Sequence, residues 1–241
     1  MKKLLILKLG DTLPDLAARR GDFENWFIDD LGLDVSQIQV FDPRCGGNFP
    51  PFAELAGILL TGSHAMVTES HDWSEQTAAW VKQAVEIGLP TLGVCYGHQL
   101  LAHAFGGQVG NNPRGTQEGT TTVELTSAGL TDPLLGELGA AKFEAQVSHA
   151  QSALTLPENA TRLAFDEWDA NQAFRIGENA WGVQFHPEMD AEIASTYIQA
   201  ESAELAAEGQ NPEQILAAVH ETPVAAQVLK IFSKIVFQTG V

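Results

Sequence analysis

Short apolar runs alternate with helical patterns along roughly the first two-thirds of the chain. The runs predict buried strands at 4–9, 38–41, 57–60 and 91–94. Helices are predicted at 22–31, at 73–88 and from about position 96. Because such an alternation covers both faces of a sheet with helices, it predicts an α/β fold with a mostly parallel central sheet.

The pattern changes after Gly107, where short strands with few helices between them are predicted. These strands are expected at 120–125, 143–148, 161–165, 172–176 and 181–185. From Asp190 the sequence becomes helical again, and Pro212 and Pro223 are expected at or near the first turns of new helices. We therefore predict one domain over 1–190 and a C-terminal helical extension over 191–241.

An excess of acidic residues narrows the choice of partners. The 241 residues include 31 Asp and Glu against 13 Lys and Arg, which gives a formal net charge of -18 at pH 7. Such a charge repels phosphate backbones and anionic lipids, so neither nucleic acid nor a membrane is expected as a partner. Most of these carboxylates are expected on a solvated surface.

The first residues and the two cysteines bear on the compartment. Lys8 interrupts the apolar run that follows Lys2 and Lys3, which fits a buried first strand better than a secretion signal. A chain of this length does not need a disulfide between Cys45 and Cys95, so the cytoplasm is the expected location. The spacing of His and Cys matches no structural zinc site, and no GxxxxGK[ST] loop is present, so neither metal nor cofactor is expected.

Cys95 lies in the sequence TLGVCYGHQLL, between a predicted strand and a predicted helix. Gly93 and Gly97 flank it and permit a sharp turn that would expose the thiol at the edge of the sheet, as in the serine elbow of hydrolases. At the start of a helix, the dipole favours a thiolate. A buried core cysteine is the usual alternative for an isolated cysteine, but the flanking glycines favour a nucleophile.

A nucleophilic cysteine needs a base, and the sequence WGVQFHPEMD contains a candidate. His186 follows a predicted strand, and Pro187 biases it toward an extended backbone. Glu188 then lies on the same side of the segment and can orient the imidazole. Cys95, His186 and Glu188 thus form a candidate nucleophile, base and orienting carboxylate. On its own, His186 would be read equally well as a hydrogen-bonded loop histidine.

The sequences GVCYGHQ (93–99) and FHPE (185–188) resemble the class I glutamine amidotransferase family. Within it, the chain is similar to stand-alone proteins that resemble the amidotransferase domain of GMP synthase. The similarity extends from the first strand to about Met189 and implies a flavodoxin-like three-layer α/β fold. It also implies that Cys95 attacks the side-chain carboxamide of glutamine, that ammonia leaves, and that water hydrolyses the resulting γ-glutamyl thioester.

The resemblance assigns roles to further residues. His186 would transfer the proton, Glu188 would hold it in position, and the backbone N–H groups of Ser63 and Tyr96 would form an oxyanion hole. His64 stands where the family commonly has a proline. Contacts with the substrate are implied for Gly62, Gln99, Ser148, His149, Ala150 and Gln151. Relatives of GMP synthase tend to have an aspartate at the last of these positions, which bears on how the amino end of the substrate is held.

Several functions remain open at this point. The first is a glutamine amidotransferase or glutaminase that releases ammonia for a separate acceptor protein, since the sequence contains no synthetase domain. The second is a γ-glutamyl peptidase that uses the same three residues on γ-glutamyl peptides or conjugates, and the positions expected to distinguish the two are 63–70, 111–119 and 149–152. A thiol stress or chaperone-like protein usually has a histidine directly after the cysteine, where this chain has Tyr96. A non-catalytic regulatory subunit would be expected to lack one of the three residues.

Overall fold

The computed structural model describes residues 2–238, and its helices cover both faces of a central sheet. The strands are β1 Lys3–Leu7, β2 Ile38–Phe41, β3 Leu55–Leu60, β4 Thr91–Val94, β5 Gln108–Asn111, β6 Gln117–Leu125, β7 Lys142–His149, β8 Gln151–Thr155, β9 Ala160–Phe165, β10 Ala173–Ile176 and β11 Ala180–Val183. The helices are α1 Pro14–Arg20, α2 Phe23–Leu31, α3 Asp72–Glu86, α4 Tyr96–Ala104, α5 Ala191–Ala200, α6 Ser202–Ala207, α7 Pro212–Ala218 and α8 Gln227–Gln238. None of the helices in this described part is long and apolar enough to cross a membrane.

Within residues 2–238 the main sheet has the order β2-β1-β3-β4-β11-β10-β9-β6-β7, and β5 pairs with β8 in a small second sheet. Neighbouring strands from β2 to β11 are parallel. Strands β10, β9, β6 and β7 extend the sheet through antiparallel pairs. The predicted α/β fold is thus confirmed, and the antiparallel part corresponds to the short strands predicted after Gly107.

Several element boundaries differ from the predictions. β1 ends at Leu7 rather than at position 9, and β11 ends at Val183 rather than at 185. The pattern does not predict α1, in which only Leu16 is buried, or β5, which has no buried residue. Pro212 does begin α7, but the prediction of a helix start near Pro223 is wrong, because a turn follows this proline and α8 begins only at Gln227.

Alternate residues of β1 fill the cores on the two faces of the sheet. Leu4 and Ile6 belong to a buried cluster that includes Phe232 of α8. Leu5 and Leu7 belong to a second cluster, which includes buried residues of α3 and α4. Because successive side chains of a strand point to opposite faces, a strand that is apolar on both faces requires cover on both sides. This is the three-layer arrangement.

The C-terminal helices take part in this packing. Val228 and Phe232 of α8 are fully buried in the cluster that contains Leu4 and Ile6. In a third cluster, Tyr197 of α5 packs with Trp26 of α2. Residues of the described segment 191–238 therefore contribute to cores that residues before position 190 also form, and the division at 190 stays a prediction.

Replacing Phe232 by alanine should lower the free energy of unfolding of the whole fold by about 3–5 kcal/mol, since a fully buried aromatic side chain is lost. Unfolding in denaturant, followed by circular dichroism and by tryptophan fluorescence, should show coincident transitions at a lower midpoint, because Phe232 contacts Trp181 of β11. Lys230→Ala on the exposed face of α8 is the control and should leave the midpoint unchanged. A separate transition of the C-terminal helices before the sheet unfolds would contradict this prediction.

Candidate active site

The carboxyl ends of three adjacent parallel strands bring the candidate residues together. β3, β4 and β11 lie side by side, and Val94 at the end of β4 is paired with Val183 at the end of β11. From these ends the chain continues to Gly62, Cys95 and His186. Because parallel strands end at the same edge of a sheet, these three distant segments meet in one crevice.

Cys95 has an unusual backbone conformation, with φ 50° and ψ -103°. This combination is unfavourable for a residue that has a side chain. It is fixed on both sides: the Cys95 N–H donates to the carbonyl oxygen of Val183 over 2.9 Å, and the Cys95 carbonyl accepts from the Gln99 N–H over 3.0 Å. Helix α4 begins at the next residue, Tyr96, so the thiol lies at a strand-to-helix elbow.

Gly93 and Gly97 permit this elbow through close packing rather than through their own dihedral angles, since neither has a positive φ. A Cβ atom on Gly97 would lie 2.6 Å from Leu60 Cβ and 2.7 Å from the Leu60 carbonyl oxygen. A Cβ atom on Gly93 would collide with the backbone of Gly97 and His98. The two glycines therefore allow α4 to approach β3 and β4, and the turn residue itself is Cys95.

His186 lies just beyond β11 and is buried, as are Cys95 and Glu188. Its Nδ1 atom lies 2.7 Å from Glu188 Oε1, and its Nε2 atom has no hydrogen-bond partner among the described residues. A Cβ atom built on Gly62 would lie 3.3 Å from His186 Cε1 and 3.8 Å from Cys95 Cβ, so the ring and the cysteine flank this glycine together. Cys95 Sγ lies 3.6 Å from the carbonyl oxygen of Ser148.

The charges of these side chains support one another. Burial alone would lower the pKa of His186, but the carboxylate of Glu188 and the neighbouring Cys95 raise this pKa well above its ordinary value. A protonated imidazole beside a cysteine favours the thiolate. The arrangement places a cysteine beside an imidazole that has a carboxylate behind it, as a nucleophile, its base and an orienting group require.

The loop after β3 and the start of α4 form another part of the site. Ser63 and Tyr96 both line the candidate cavity. Tyr96 is the first residue of α4, where a backbone N–H has no acceptor within the helix. Ser63 Oγ accepts from the Ala65 N–H over 3.1 Å. His64, in the position of the family's proline, has its Nε2 atom 3.1 Å from the hydroxyl of Tyr197, so α5 holds this loop.

A cavity of about 280 Å³ opens over the cysteine. Its lining includes Cys95, His186 and five residues for which substrate contacts are expected: Gln99, Ser148, His149, Ala150 and Gln151. Gly62 lies next to the cysteine and the histidine but is not among the lining residues. The structure thus brings the expected substrate residues to the same cavity as the nucleophile candidate.

Two glutamines support the floor of this cavity through their amide groups. Gln99 Nε2 donates to the carbonyl oxygen of Gln151 over 2.7 Å and to Gln184 Oε1 over 3.0 Å. Gln151 Nε2 donates to Thr68 Oγ1 over 2.7 Å and to Asn111 Oδ1 over 3.0 Å. An aspartate at position 151 would lack these donors. Gln151 Oε1 is buried with no partner in the described part of the chain, so it can accept from a ligand.

His149 is held by the protein on both ring nitrogens. Nδ1 lies 2.9 Å from the carbonyl oxygen of Gln151, and Nε2 lies 3.0 Å from Gln117 Oε1. Burial lowers the pKa of His149, although both ring nitrogens face oxygen acceptors, to which only a doubly protonated ring donates twice. The ring nitrogens therefore support the β7–β8 connection. A ligand in the cavity would contact the ring carbons or the backbone of His149 instead.

The sequence pattern does not single out Glu118, which also lines the cavity. Glu118 is paired with Ser148 across β6 and β7 and is only 9% exposed. Burial and the nearby carboxyl group of Glu201 raise the pKa of Glu118 well above its ordinary value. Glu118 lies just before the sequence TTTVEL (120–125) in β6. An acidic residue in a half-buried strand gives no sign that it lines a cavity, since only the fold shows what covers it.

Two other kinds of candidate chemistry lie outside this arrangement. Cys45 is an exposed free thiol in the loop after β2, whereas Cys95 is a buried one. Within residues 2–238, no group of three or more His, Cys, Asp or Glu side chains is arranged to hold a metal ion.

A family model and known proteins match most of the chain. A family model described as glutamine amidotransferase class-I matches residues 47–205. The glutamine-hydrolysing GMP synthase of Aeropyrum pernix is 34% identical over 187 residues, which are 77% of this chain and 33% of the relative. The γ-glutamyl peptidase 4 of Arabidopsis thaliana is 29% identical over 178 residues, which are 72% of this chain and 70% of the relative. The chain thus spans about a third of the length of the GMP synthases that it matches.

A solved structure shares the fold over almost the whole chain. The crystal structure of a glutamine amidotransferase from Thermotoga maritima has a TM-score of 0.75 and 21% sequence identity, and the match covers 98% of both chains. The match therefore includes the helices after position 190. The family model and the identity to the GMP synthase of Aeropyrum pernix show that this chain belongs to the class-I glutamine amidotransferase family.

Proposed function

We propose that this protein hydrolyses the side-chain amide of glutamine and releases ammonia for a separate acceptor protein. Membership of the class-I family supports an enzyme with a cysteine nucleophile. The observation that carries the proposal is the elbow at Cys95, with the His186–Glu188 pair beside it at the edge of one cavity. These three residues supply the groups that a thioester mechanism requires.

In the first half of the reaction, the Cys95 thiolate attacks the amide carbon and a carbon–sulfur bond forms. The negative charge that develops on the amide oxygen is stabilised by the backbone N–H groups of Tyr96 and Ser63. His186 then donates its proton to the amide nitrogen, the carbon–nitrogen bond breaks, and ammonia leaves. Glu188 keeps the imidazole oriented and stabilises its charged form. The product on the enzyme is a γ-glutamyl thioester.

The second half returns the enzyme to its starting state. Water attacks the thioester carbon, and His186 accepts the proton of this water. The carbon–sulfur bond breaks, glutamate leaves, and Cys95 is again a thiolate. Gln99 and the segment 148–151 hold the rest of the substrate over the cysteine, and Gln151 Oε1 is the acceptor available to an N–H group.

A γ-glutamyl peptidase is the second candidate, and one comparison favours it. The match with a γ-glutamyl peptidase covers 70% of that protein, whereas the GMP synthases extend far beyond the matched region. The same thioester would form, with the amino group of a peptide as the leaving group in place of ammonia. In the first candidate, the synthetase or other acceptor of ammonia would be a separate protein.

Replacing Cys95 by alanine should reduce ammonia release from L-glutamine by at least about 1,000-fold, because the thioester cannot form. The measurement is ammonia release by the purified protein, in parallel with hydrolysis of γ-glutamyl dipeptides. Cys45→Ala is the matched control, since it removes the exposed thiol, and it should retain full activity. Cys95-dependent cleavage of dipeptides alone would select the peptidase, and activity that survives Cys95→Ala would contradict both candidates.

Replacing Glu188 by glutamine should lower the pKa of His186, because burial then acts without the carboxylate that opposes it. The imidazolium would lose its proton at lower pH, so the alkaline limb of the kcat/KM profile should move toward acid. At its optimum, kcat should fall by about 100- to 10,000-fold, because the ring is no longer oriented.

The control for this change is Glu178→Gln, at an exposed carboxyl group in the turn between β10 and β11. It removes the same charge away from the cavity and should leave the pH profile and kcat of the wild-type protein. An unshifted alkaline limb in Glu188→Gln would show that this carboxylate does not control the protonation of His186.

A further inference from the structure

Two carboxyl groups meet at the wall of the cavity, one from the sheet and one from the C-terminal helices. Glu118 lies in β6, and Glu201 lies between α5 and α6. Both residues line the cavity, helix α5 contacts β6, and each carboxyl group affects the protonation of the other. Glu118 is more than nine-tenths buried, and its Oε1 atom has no hydrogen-bond partner among the described residues.

The surroundings of this pair are acidic. Glu204 and Glu208 also line the cavity, and its lining within residues 2–238 contains no Lys or Arg. Burial, first of all, raises the pKa of both Glu118 and Glu201. Because a buried carboxylate beside a half-buried one is costly without a cation, the pair favours the form in which one carboxyl group keeps its proton. A cationic group of a ligand would be a better partner for both.

The pair also lies close to the candidate nucleophile. Ser148 is paired with Glu118 across β6 and β7, and its carbonyl oxygen lies 3.6 Å from Cys95 Sγ. In a γ-glutamyl compound, the ammonium nitrogen is separated from the amide carbon by the Cα, Cβ and Cγ atoms. A substrate with its amide carbon at Cys95 can therefore place its ammonium group in the neighbourhood of Ser148 and Glu118.

We infer that Glu118 and Glu201 together bind the α-ammonium group of the γ-glutamyl substrate, so that the C-terminal helices complete the substrate site. This inference rests on the proposed function, which requires a γ-glutamyl substrate. On binding, the ammonium group donates hydrogen bonds to both carboxylates, and the proton that one of them kept passes to solvent. Such charge-assisted hydrogen bonds are roughly twice as strong as neutral ones. Compounds without a free α-ammonium group cannot make these hydrogen bonds and bind more weakly.

Binding to Cys95→Ala protein tests the inference without depending on turnover. Calorimetry compares L-glutamine with glutaramate, and γ-glutamylglycine with glutarylglycine; each second ligand lacks only the α-amino group. Loss of this group should weaken binding about tenfold or more. Adding Glu201→Gln should weaken the two ammonium-bearing ligands about tenfold and leave the two deamino ligands within twofold. Glutamine is nearly isosteric with glutamate and can still donate a hydrogen bond to Glu118, so the packing of the helices is retained.

Glu213→Gln is the matched control, because it removes an exposed carboxylate of the C-terminal helices that does not line the cavity. It should change each of the four affinities less than twofold. Equal weakening of a ligand and its deamino counterpart by Glu201→Gln would overturn the inference, as would no weakening, or an equal effect of Glu213→Gln. Failure of both ammonium-bearing ligands to bind would overturn it as well.

Proton release gives a readout that a purely structural contact would not affect. Titrations in buffers of different ionisation enthalpy should show a proton released when an ammonium-bearing ligand binds, and no release with Glu201→Gln. The groups that face the pair are Ser148 and His186 beside Glu118, and Glu204 and Tyr197 beside Glu201. Ammonium-dependent binding without hydrolysis by wild-type protein would reject the proposed function and retain this inference. Hydrolysis that is unchanged by Glu201→Gln would retain the proposed function and reject this inference.

Discussion

The close approach of α4 to β3 and β4 is the constraint on which the rest of the site depends. With no side chain at Gly93 or Gly97, the helix can begin directly after Cys95, and the cysteine takes a backbone conformation that costs about 1–3 kcal/mol. The hydrogen bond to Val183 and the first turn of α4 hold it there. This elbow has two consequences: Cys95 lines the crevice, and the N–H of Tyr96 beside it has no acceptor within the helix.

Both parts of the sheet contribute to this crevice. The parallel strands β3, β4 and β11 bring Gly62, Cys95 and His186 together, although β4 and β11 are far apart in the sequence. The antiparallel strands β6 and β7 supply the wall that contains Ser148. Besides the strand pairs that make them one sheet, an isolated bridge links the two parts directly: the His186 N–H donates to the carbonyl oxygen of Gln146 in β7 over 2.8 Å. The imidazole and the substrate wall are therefore held in register with each other.

The residues that sequence reasoning finds are those marked by their immediate neighbours. Cys95 is identified by its glycines, and His186 with Glu188 by the strand end and the proline between them, so a local pattern suffices. Glu118 and Glu201 have no such mark, because only the fold brings β6 and the end of α5 to the same cavity. The same limit explains why the sequence pattern does not predict β5 and β8, which pair with each other in the small sheet of the described residues. It also explains why the pattern does not predict the partners of the His149 ring nitrogens.

The meaning of the acidic residues depends on where each one lies. Most of the acidic residues behind the net charge of -18 are expected on a solvated surface. Glu118 and Glu201 instead line the cavity, in a partly buried wall where a carboxylate needs a partner. Glu201 reaches this wall because apolar residues fix the C-terminal helices in place: Phe232 in the core beneath the sheet and Tyr197 beside Trp26. Since that packing already restricts the backbone around position 201, ordering this carboxyl group at the cavity costs little further conformational entropy. The apolar packing of α5 and α8 thus lowers the entropic cost of ordering Glu201 at the cavity.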